Sequence, residues 1–208
     1  MAARLARDIP EGWYVNLGIG APLQVADYVP AEREVVIQSE NGILGMGPEP
    51  PSDKINRWLI NASKKYVTLV PGGSYVHHAD SFAMIRGGHL DLCVLGAFQV
   101  AENGDIANWS ISDNDSAPAV GGAMDLAVGA RRVWVLMEHQ TKSGESRLTR
   151  RCTYPLTALG VVKRVYTNLG VLDVTPDGFA VRDMVEGLAV DTLQKMTDAP
   201  LHAPSRGK

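Results

Sequence analysis

The sequence predicts an α/β fold: an open, mostly parallel sheet with helices on both faces and an antiparallel edge. Short apolar segments alternate with short helical segments along most of the chain, which is typical of a parallel sheet. The apolar segments are nearly continuous, as expected for strands that are buried on both faces. Near the C-terminus, the turn residues Pro176, Asp177 and Gly178 separate two apolar segments, which indicates the antiparallel edge.

Length and composition indicate one domain with a substantial core. The chain has 208 residues, of which 45% are hydrophobic and 21% are charged. These fractions are ordinary for a globular protein and argue against a disordered chain. We therefore expect a single domain over residues 1–208, with a flexible tail at 203–208.

The predicted elements follow in order from the N-terminus. Helices are expected where apolar residues recur at helical spacing near proline or glycine: 2–9, 23–28, 80–85, 123–128 and 190–196. Strands are expected at the apolar runs 13–17, 35–37, 67–70, 90–95 and 132–137. Three further strands, 161–167, 170–174 and 179–181, form the expected antiparallel edge, and the polar stretch 99–118 is expected to be a loop.

Ligands of such sheets bind where loops leave the carboxyl ends of the strands. Four loops that contain glycine are expected at that edge: 18–22, 39–48, 71–74 and 121–125. Glycine at such positions lets the backbone approach a ligand closely. The sequence therefore predicts a ligand site that these loops border.

Charge, cysteine content and hydropathy exclude several functional classes. A net charge of −3 provides no basic surface, so we expect neither nucleic acid nor a membrane as a partner. No apolar run approaches the roughly 18 residues that span a bilayer, and residues 1–10 lack the apolar core of a signal peptide. Cys93 and Cys152 are too few for a disulfide framework, so we expect reduced thiols in a cytoplasmic protein. The adjacent His77 and His78 would point in opposite directions, so we expect no metal site.

Gly18 and Gly20, between a strand and a helix, are similar to the start of a dinucleotide-binding loop. Glu40 lies about 20 residues further on, where an acid would bind a ribose hydroxyl. Against this interpretation, Leu23 replaces the third glycine of the motif and Pro22 removes a backbone donor. A dinucleotide-binding oxidoreductase stays as an alternative interpretation.

Residues 38–47 are the most informative stretch. Glu40 leaves a strand between the amide side chains of Gln38 and Asn41, and three glycines follow within six residues. A glutamate on a sharp turn, with glycines that leave room for a large reactant, suits a covalent nucleophile. The sequence has neither a G-x-S-x-G elbow nor a G-x-x-x-x-G-K-[ST] loop, so we expect neither a serine hydrolase nor an ATP-driven ligase.

Six further motifs accompany this stretch and cover nearly the whole chain: 16–20, 60–64, 80–89, 104–109, 121–126 and 152–157. Together with residues 38–47, they resemble the β subunit, or C-terminal half, of the 3-oxoacid coenzyme A-transferases. This resemblance is far more specific than a single glycine loop. It implies a NagB/RpiA-like α/β fold of the CoA-transferase type.

The resemblance implies a ping-pong reaction in which Glu40 attacks an acyl-CoA thioester and becomes a glutamyl-CoA thioester. Gly122, with Gly121 beside it, matches the backbone donor of the family to the tetrahedral oxyanion, at the start of a predicted helix. The CoA thioester is then a substrate, and the resemblance implies no permanently bound cofactor. The exchange of one thioester for another needs no ATP.

The resemblance also implies which residues bind CoA. Asn16 and Lys64 match positions that contact CoA in the family, where an amide can bond to pantetheine and an ammonium to a phosphate. Gly18 and Gly20 are expected to leave room for the same ligand. His77 and His78, with Tyr154, are similar to the 3-oxoadipate branch of the family, whose substrate carries a second carboxylate that a histidine could bind.

A separate α subunit completes the enzymes that the chain resembles. The resemblance therefore implies an αβ pair, doubled to an α2β2 heterotetramer, which moves CoA from succinyl-CoA to a 3-oxo acid. We expect 3-oxoadipate as the acceptor, with acetoacetate as the alternative. A non-catalytic partner subunit that retains the family fold is a third interpretation.

Overall fold

The computed structural model describes residues 1–112 and 119–202, so the expected tail at 203–208 and part of the expected loop at 99–118 lie outside the described residues. The α-helices are α1 (Ala2–Asp8), α2 (His78–Arg86), α3 (Ala123–Gly129) and α4 (Val190–Lys195), and two 3-10 helices span Ala21–Tyr28 and Ser52–Lys54. The first six strands are β1 (Tyr14–Leu17), β2 (Val36–Ser39), β3 (Ile43–Met46), β4 (Leu69–Tyr75), β5 (Leu92–Leu95) and β6 (Gln99–Ala101). The others are β7 (Ile106–Ala107), β8 (Val133–Leu136), β9 (Leu148–Thr149), β10 (Val162–Tyr166), β11 (Gly170–Thr175), β12 (Gly178–Met184) and β13 (Leu201–His202). No helix in this part of the chain is both long and apolar enough to span a membrane.

Ten strands form the main sheet, in the order β13-β12-β11-β10-β8-β5-β1-β2-β3-β4. The five strands from β10 to β2 run parallel to their neighbours. Antiparallel pairs flank this centre on both sides, with β3 and β4 on one side and β11 and β12 on the other. The mostly parallel sheet and the predicted antiparallel edge of β10, β11 and β12 are confirmed. The sequence does not predict the second antiparallel edge, which β3 and β4 form.

Helices cover both faces of the sheet, each above its own apolar core. On one face, Leu5 of α1 and Val25 of the first 3-10 helix are fully buried against β1, β2, β5 and β8. On the other face, Ile85 of α2, Leu126 of α3 and Leu193 of α4 belong to the second core. The predicted helices on both faces are therefore confirmed.

Two of the four expected loops are partly or wholly strand. Strand β3 takes four of the ten residues of the expected loop 39–48 and leaves a turn of three residues after β2. The expected loop 71–74 lies entirely inside β4. The glycines have a structural reason there, because a Cβ on Gly45 would lie 2.9 Å from Gly73 Cα on the neighbouring strand. In this segment glycine permits close strand pairing rather than ending the strand.

A second, three-stranded sheet, β7-β6-β9, takes two of its strands, β6 and β7, from the segment that the sequence predicts to be a polar loop. Val100, Ile106 and Leu148 from its strands are completely buried and join the core that contains α2, α3 and α4. Strands of two or three residues are too short to show an apolar alternation. The sequence pattern therefore could not predict this sheet.

Candidate active site

A cavity of about 530 Å³ opens at the carboxyl edge of the parallel strands. Its wall contains residues that follow four of these strands: Gly18 after β1, Glu40 after β2, Gly96 after β5 and Glu138 close behind β8. The chain passes from β1 to β2 on one side, and β5 then pairs with β1 on the other side. The cavity therefore lies where the strand order reverses, which is the usual ligand position in open α/β sheets.

Three of the four loops predicted at this edge contribute to the cavity wall. They are loops 18–22, 39–48 and 121–125. Loop 71–74 contributes nothing to it, because its residues extend β4 at the far end of the sheet. The prediction for loop 71–74 is therefore wrong.

Glu40 lies on the three-residue turn between β2 and β3. Gly42 closes this turn with a φ of +114°, and its N–H donates to Ser39 O over 3.0 Å. Both neighbours of Glu40 form hydrogen bonds with segment 60–62. Ser39 Oγ accepts from the backbone N–H of Ala62 over 3.0 Å, and Asn41 Nδ2 donates to Ile60 O over 2.7 Å. A turn fixed on both sides carries the carboxylate, which limits its freedom to move.

Gly122 lies directly against the Glu40 carboxylate. A Cβ at Gly122 would be 3.0 Å from Glu40 Oε1 and 3.1 Å from Phe82 Cζ, so only glycine permits this approach without displacing a neighbour. Gly121 precedes it with a φ of +53°. Within the described ranges, no hydrogen bond uses the backbone N–H of Gly121 or Gly122, so both remain free to bind an oxygen.

The surroundings of Glu40 shift the pKa of its carboxyl group. Burial raises the pKa of Glu40 above its ordinary value of 4.5; His78 opposes the rise and Asp125 adds to it. Asp125 is itself held by Arg86, whose Nε donates to its Oδ1 over 2.7 Å. The partly buried carboxylate accepts no hydrogen bond from the residues that the structure describes, so nothing there offsets the cost of burying its charge.

Asn16 lies in a buried polar network below this turn, not in the cavity wall. Its side chain is 2% exposed, and its Nδ2 donates to Gln38 Oε1 over 2.6 Å. Gln38 Nε2 in turn donates to Ser81 Oγ of α2 over 2.6 Å, and Cys93 Sγ lies 4.0 Å from Asn16 Oδ1. The network joins β5, β1, β2 and α2 two residues before Glu40.

The other predicted CoA-binding residues lie at different distances from the cavity. Gly18 is in its wall, and its N–H donates to Val94 O of β5 over 2.8 Å. Gly20 begins the first 3-10 helix with a φ of +88°. Lys64 lies outside the wall, exposed on a turn over residues 61–65, with a φ of +62° that is uncommon for a residue with a side chain.

The two adjacent histidines have separate structural environments. His77 Nδ1 accepts from the backbone N–H of Ala79 over 3.2 Å and so caps α2. The His78 ring packs 4.9 Å from the Phe82 ring, centroid to centroid. In the part of the chain that the structure describes, no three His, Cys, Asp or Glu side chains are arranged to hold a metal ion.

Two wall residues were not identified as site residues from the sequence. Trp109 supplies an aromatic surface and is fixed by its Nε1, which donates to Leu156 O over 3.2 Å. Arg147 is the only cationic side chain in the described wall. Motif 104–109 could have identified Trp109, whereas Arg147 stands near Arg150 and gives no sequence signal that separates it from a surface charge.

Comparisons with known proteins agree on the family. The model of the coenzyme A transferase family matches residues 1–195. Over 97% of this chain and 94% of the relative, the sequence is 57% identical to the β subunit of the 3-oxoadipate CoA-transferase of Pseudomonas putida. It is 46% identical to the β subunit of the succinyl-CoA:3-ketoacid coenzyme A transferase of Helicobacter pylori, over 94% of each chain.

A solved structure supports the same fold. The acyl-CoA transferase of Escherichia coli O157:H7, in a thioester complex with CoA, superposes with a TM-score of 0.73 at 15% identity. The superposition covers 98% of this chain and 41% of that larger protein. The family match over nearly the whole length and the high identity to two transferase β subunits lead to one conclusion: the chain belongs to the coenzyme A transferase family.

Proposed function

We propose that this member of the coenzyme A transferase family moves CoA from succinyl-CoA to 3-oxoadipate through a covalent glutamyl-CoA thioester on Glu40. One observation carries the proposal: the partly buried Glu40 carboxylate lies in the cavity wall beside Gly122, and the backbone N–H groups of Gly121 and Gly122 are not used within the described fold. The names of the Pseudomonas putida and Helicobacter pylori relatives support the donor and the acceptor.

The first half-reaction uses the carboxylate as a nucleophile. A Glu40 oxygen attacks the thioester carbon of succinyl-CoA, and the C–S bond breaks. The products are a mixed anhydride between Glu40 and succinate, and the free CoA thiolate. The thiolate then attacks the carboxyl carbon of Glu40, the anhydride C–O bond breaks, and succinate leaves. The product is a thioester between Glu40 and CoA, and a carboxylate of 3-oxoadipate takes the CoA by the reverse steps.

Each of these steps passes through a tetrahedral intermediate with a negatively charged oxygen. Preorganised donors stabilise such an oxyanion more than they stabilise the planar substrate. The backbone N–H groups of Gly121 and Gly122 suit this role because they border the cavity and are not used within the described fold. We assign them the oxyanion site, with Gly122 nearer to the nucleophile.

We propose that CoA enters along Gly18 and Gly20. A Cβ at Gly20 would have nothing within 4 Å, so this position leaves room for pantetheine, whereas glycine at position 18 allows close packing against Val94 O of β5. Lys64 is assigned to a CoA phosphate, since its exposed ammonium is free to reach a ligand that extends out of the cavity. A direct contact between Asn16 and pantetheine requires Asn16 to exchange its bond with Gln38 for one with the ligand. The CoA thioester is the substrate, and we propose no resident cofactor.

We also propose the assembly and the location. The two relatives are each one subunit of a larger enzyme, which implies a partner α subunit. We propose an α2β2 heterotetramer with this chain, residues 1–208, as a single β-subunit domain. The free thiols of Cys93 and Cys152 support a cytoplasmic location. A dinucleotide-binding oxidoreductase is disfavoured, because a 3-10 helix follows Gly20 where that motif needs an α-helix.

A mass-spectrometric trap tests the proposal. The complex with the α subunit is incubated with succinyl-CoA, without acceptor, and its peptides are analysed for a CoA thioester. We expect the adduct on the Glu40 peptide of the wild type and none in Glu40→Gln, which keeps the shape of the side chain and removes the charge. Turnover by Glu40→Ala would overturn the nucleophile and favour a non-catalytic role for this chain. A higher kcat/KM for acetoacetate than for 3-oxoadipate would overturn the acceptor.

A further inference from the structure

Arg147 has no ionic partner in the described chain, although it is partly buried in the cavity wall. Arg4, Arg86, Arg131, Arg164 and Arg182 each lie within 4.0 Å of a carboxylate oxygen. Arg147, by contrast, forms no such pair among the described residues.

The guanidinium of Arg147 also has donors that the fold does not use. Its Nε is shielded from solvent and has no hydrogen-bond partner in the described part of the structure. Its Nη1 reaches Ala97 O only at 3.4 Å, which is a long and weak bond. Because a buried N–H donor without a partner is unfavourable, the fold alone does not explain why an arginine stands here.

The backbone of Arg147 is fixed, so the guanidinium is presented from a rigid position. Its N–H donates to His139 O over 3.0 Å, and its carbonyl accepts from Val100 N–H over 2.9 Å. These two bonds hold it between β6 and the segment that follows β8. A binding residue on fixed backbone loses little conformational entropy when its ligand arrives.

The rest of the wall selects the kind of ligand. The described wall carries three charged side chains, Glu40, Glu138 and Arg147. The rest of it presents mainly glycines and apolar side chains, among them Leu95, Phe98 and Trp109. A chain of methylene groups suits such a surface, and a carboxylate suits the planar fork of an arginine. A dicarboxylic acyl group combines these two features.

We propose that Arg147 binds the distal carboxylate of a dicarboxylic acyl group while the other end of that group reacts at Glu40. Arg147 is then the residue that makes the site specific for dicarboxylic over monocarboxylic substrates. The proposal rests on the proposed function, since it assigns the second end of the same substrate.

A CoA phosphate is the competing source of negative charge at Arg147. Two donors separate the possibilities: succinyl-CoA and butyryl-CoA share the CoA moiety and a four-carbon acyl chain, and only succinyl-CoA has a distal carboxylate. We would measure kcat/KM for both donors with the complete complex, in the wild type and in Arg147→Met. The matched control is Arg150→Met, which removes an exposed cation three residues away that is not in the cavity wall.

The expected result is selective. Arg147→Met lowers kcat/KM for succinyl-CoA by about 100-fold, as expected when a charged hydrogen-bonding partner is removed, and changes the value for butyryl-CoA by less than about threefold. For Arg147→Lys, which keeps the charge without the planar fork, kcat/KM for succinyl-CoA lies between the values of the wild type and of Arg147→Met. Arg150→Met changes kcat/KM for neither donor. An equal loss for both donors would assign Arg147 to CoA or to folding and overturn the proposal, and so would no loss for either.

A binding measurement separates this inference from the proposed function. Calorimetry with free succinate and free butyrate needs no turnover, and we expect the wild-type complex to bind succinate at least tenfold more tightly. Arg147→Met removes that preference. If no CoA adduct forms on Glu40 but this preference holds, the proposed mechanism fails and the carboxylate site stands. If the wild type binds both acids equally, the Arg147 proposal fails even if the adduct forms.

Discussion

Gly122 is the position at which one added methyl group should separate folding from catalysis. Its backbone, with φ −79° and ψ −2°, lies in the right-handed helical region, which alanine adopts without strain. The new Cβ of Gly122→Ala would nevertheless lie 3.0 Å from Glu40 Oε1 and 3.1 Å from Phe82 Cζ. Both distances are shorter than a comfortable contact, so a neighbour must move.

The carboxylate is the neighbour that moves more easily. Phe82 packs against the core and between His78 and Arg86, whereas the Glu40 carboxylate borders the cavity. A displacement of a few tenths of an ångström, up to about 1 Å, moves the nucleophile away from its attack position and costs roughly 10–100-fold in kcat. The free energy of unfolding should fall by at most about 2.6 kcal/mol, because alanine gains about 0.4–1 kcal/mol through the unfolded state and overpacking costs about 1–3 kcal/mol.

The assay follows thioester exchange by the complete complex, together with thermal unfolding. We expect kcat of Gly122→Ala to fall by roughly 10–100-fold, with a Tm within about 8 °C of the wild type. The control is Gly96→Ala, which adds a methyl to another part of the cavity wall, where nothing lies within 4 Å of the new Cβ, and should retain a far larger kcat. A wild-type kcat in Gly122→Ala would refute the contact, and equal losses in both variants would refute its link to Glu40.

Two further predictions concern pH. Because Glu40 must be ionised to attack, kcat/KM should rise with pH as the Glu40 carboxyl, with its raised pKa, loses its proton. Asp125→Asn should move this acid limb of the pH–rate profile to lower pH, and His78→Gln should move it to higher pH. A limb that stays in place in both variants would contradict the prediction. His139 is fully buried, its Nε2 lies 2.8 Å from Thr197 Oγ1, and burial lowers its pKa from 6.5 to about 4. Between these two pH values only the unfolded state binds the proton at His139. The free energy of unfolding should therefore fall by up to about 1.4 kcal/mol per pH unit on acidification. Urea unfolding at several pH values should show this slope in the wild type and a smaller slope in His139→Gln.

The location of the site could be predicted from the sequence because it depends on topology. Alternating apolar strands and short helices place loops 18–22 and 121–125 at one edge, and the structure brings both to the cavity around Glu40. The sharp turn at Glu40 was also predictable, since Gly42 has a φ of +114° and a glycine favours that conformation.

Features that depend on distant parts of the chain could not be predicted in this way. Gly45 and Gly73 resemble loop residues, yet they are required by the close approach of two strands that lie far apart in sequence. Arg147 resembles the exposed Arg150 in local sequence, and only the packing of β6 and β9 directs it to the cavity. The sequence predicts that Asn16 binds CoA, whereas in the structure its side chain is buried and donates to Gln38.

The polar network of Asn16, Gln38 and Ser81 restricts how this part of the protein can diverge. Each side chain forms a hydrogen bond with its neighbour in the network. Replacing any one of them alone leaves a buried donor or acceptor without a partner, at a cost of about 1–3 kcal/mol. Replacing all three with apolar side chains of similar size avoids that penalty. Among distant homologues, these three positions should therefore substitute as a set: either all polar or all apolar, with mixed triplets rare.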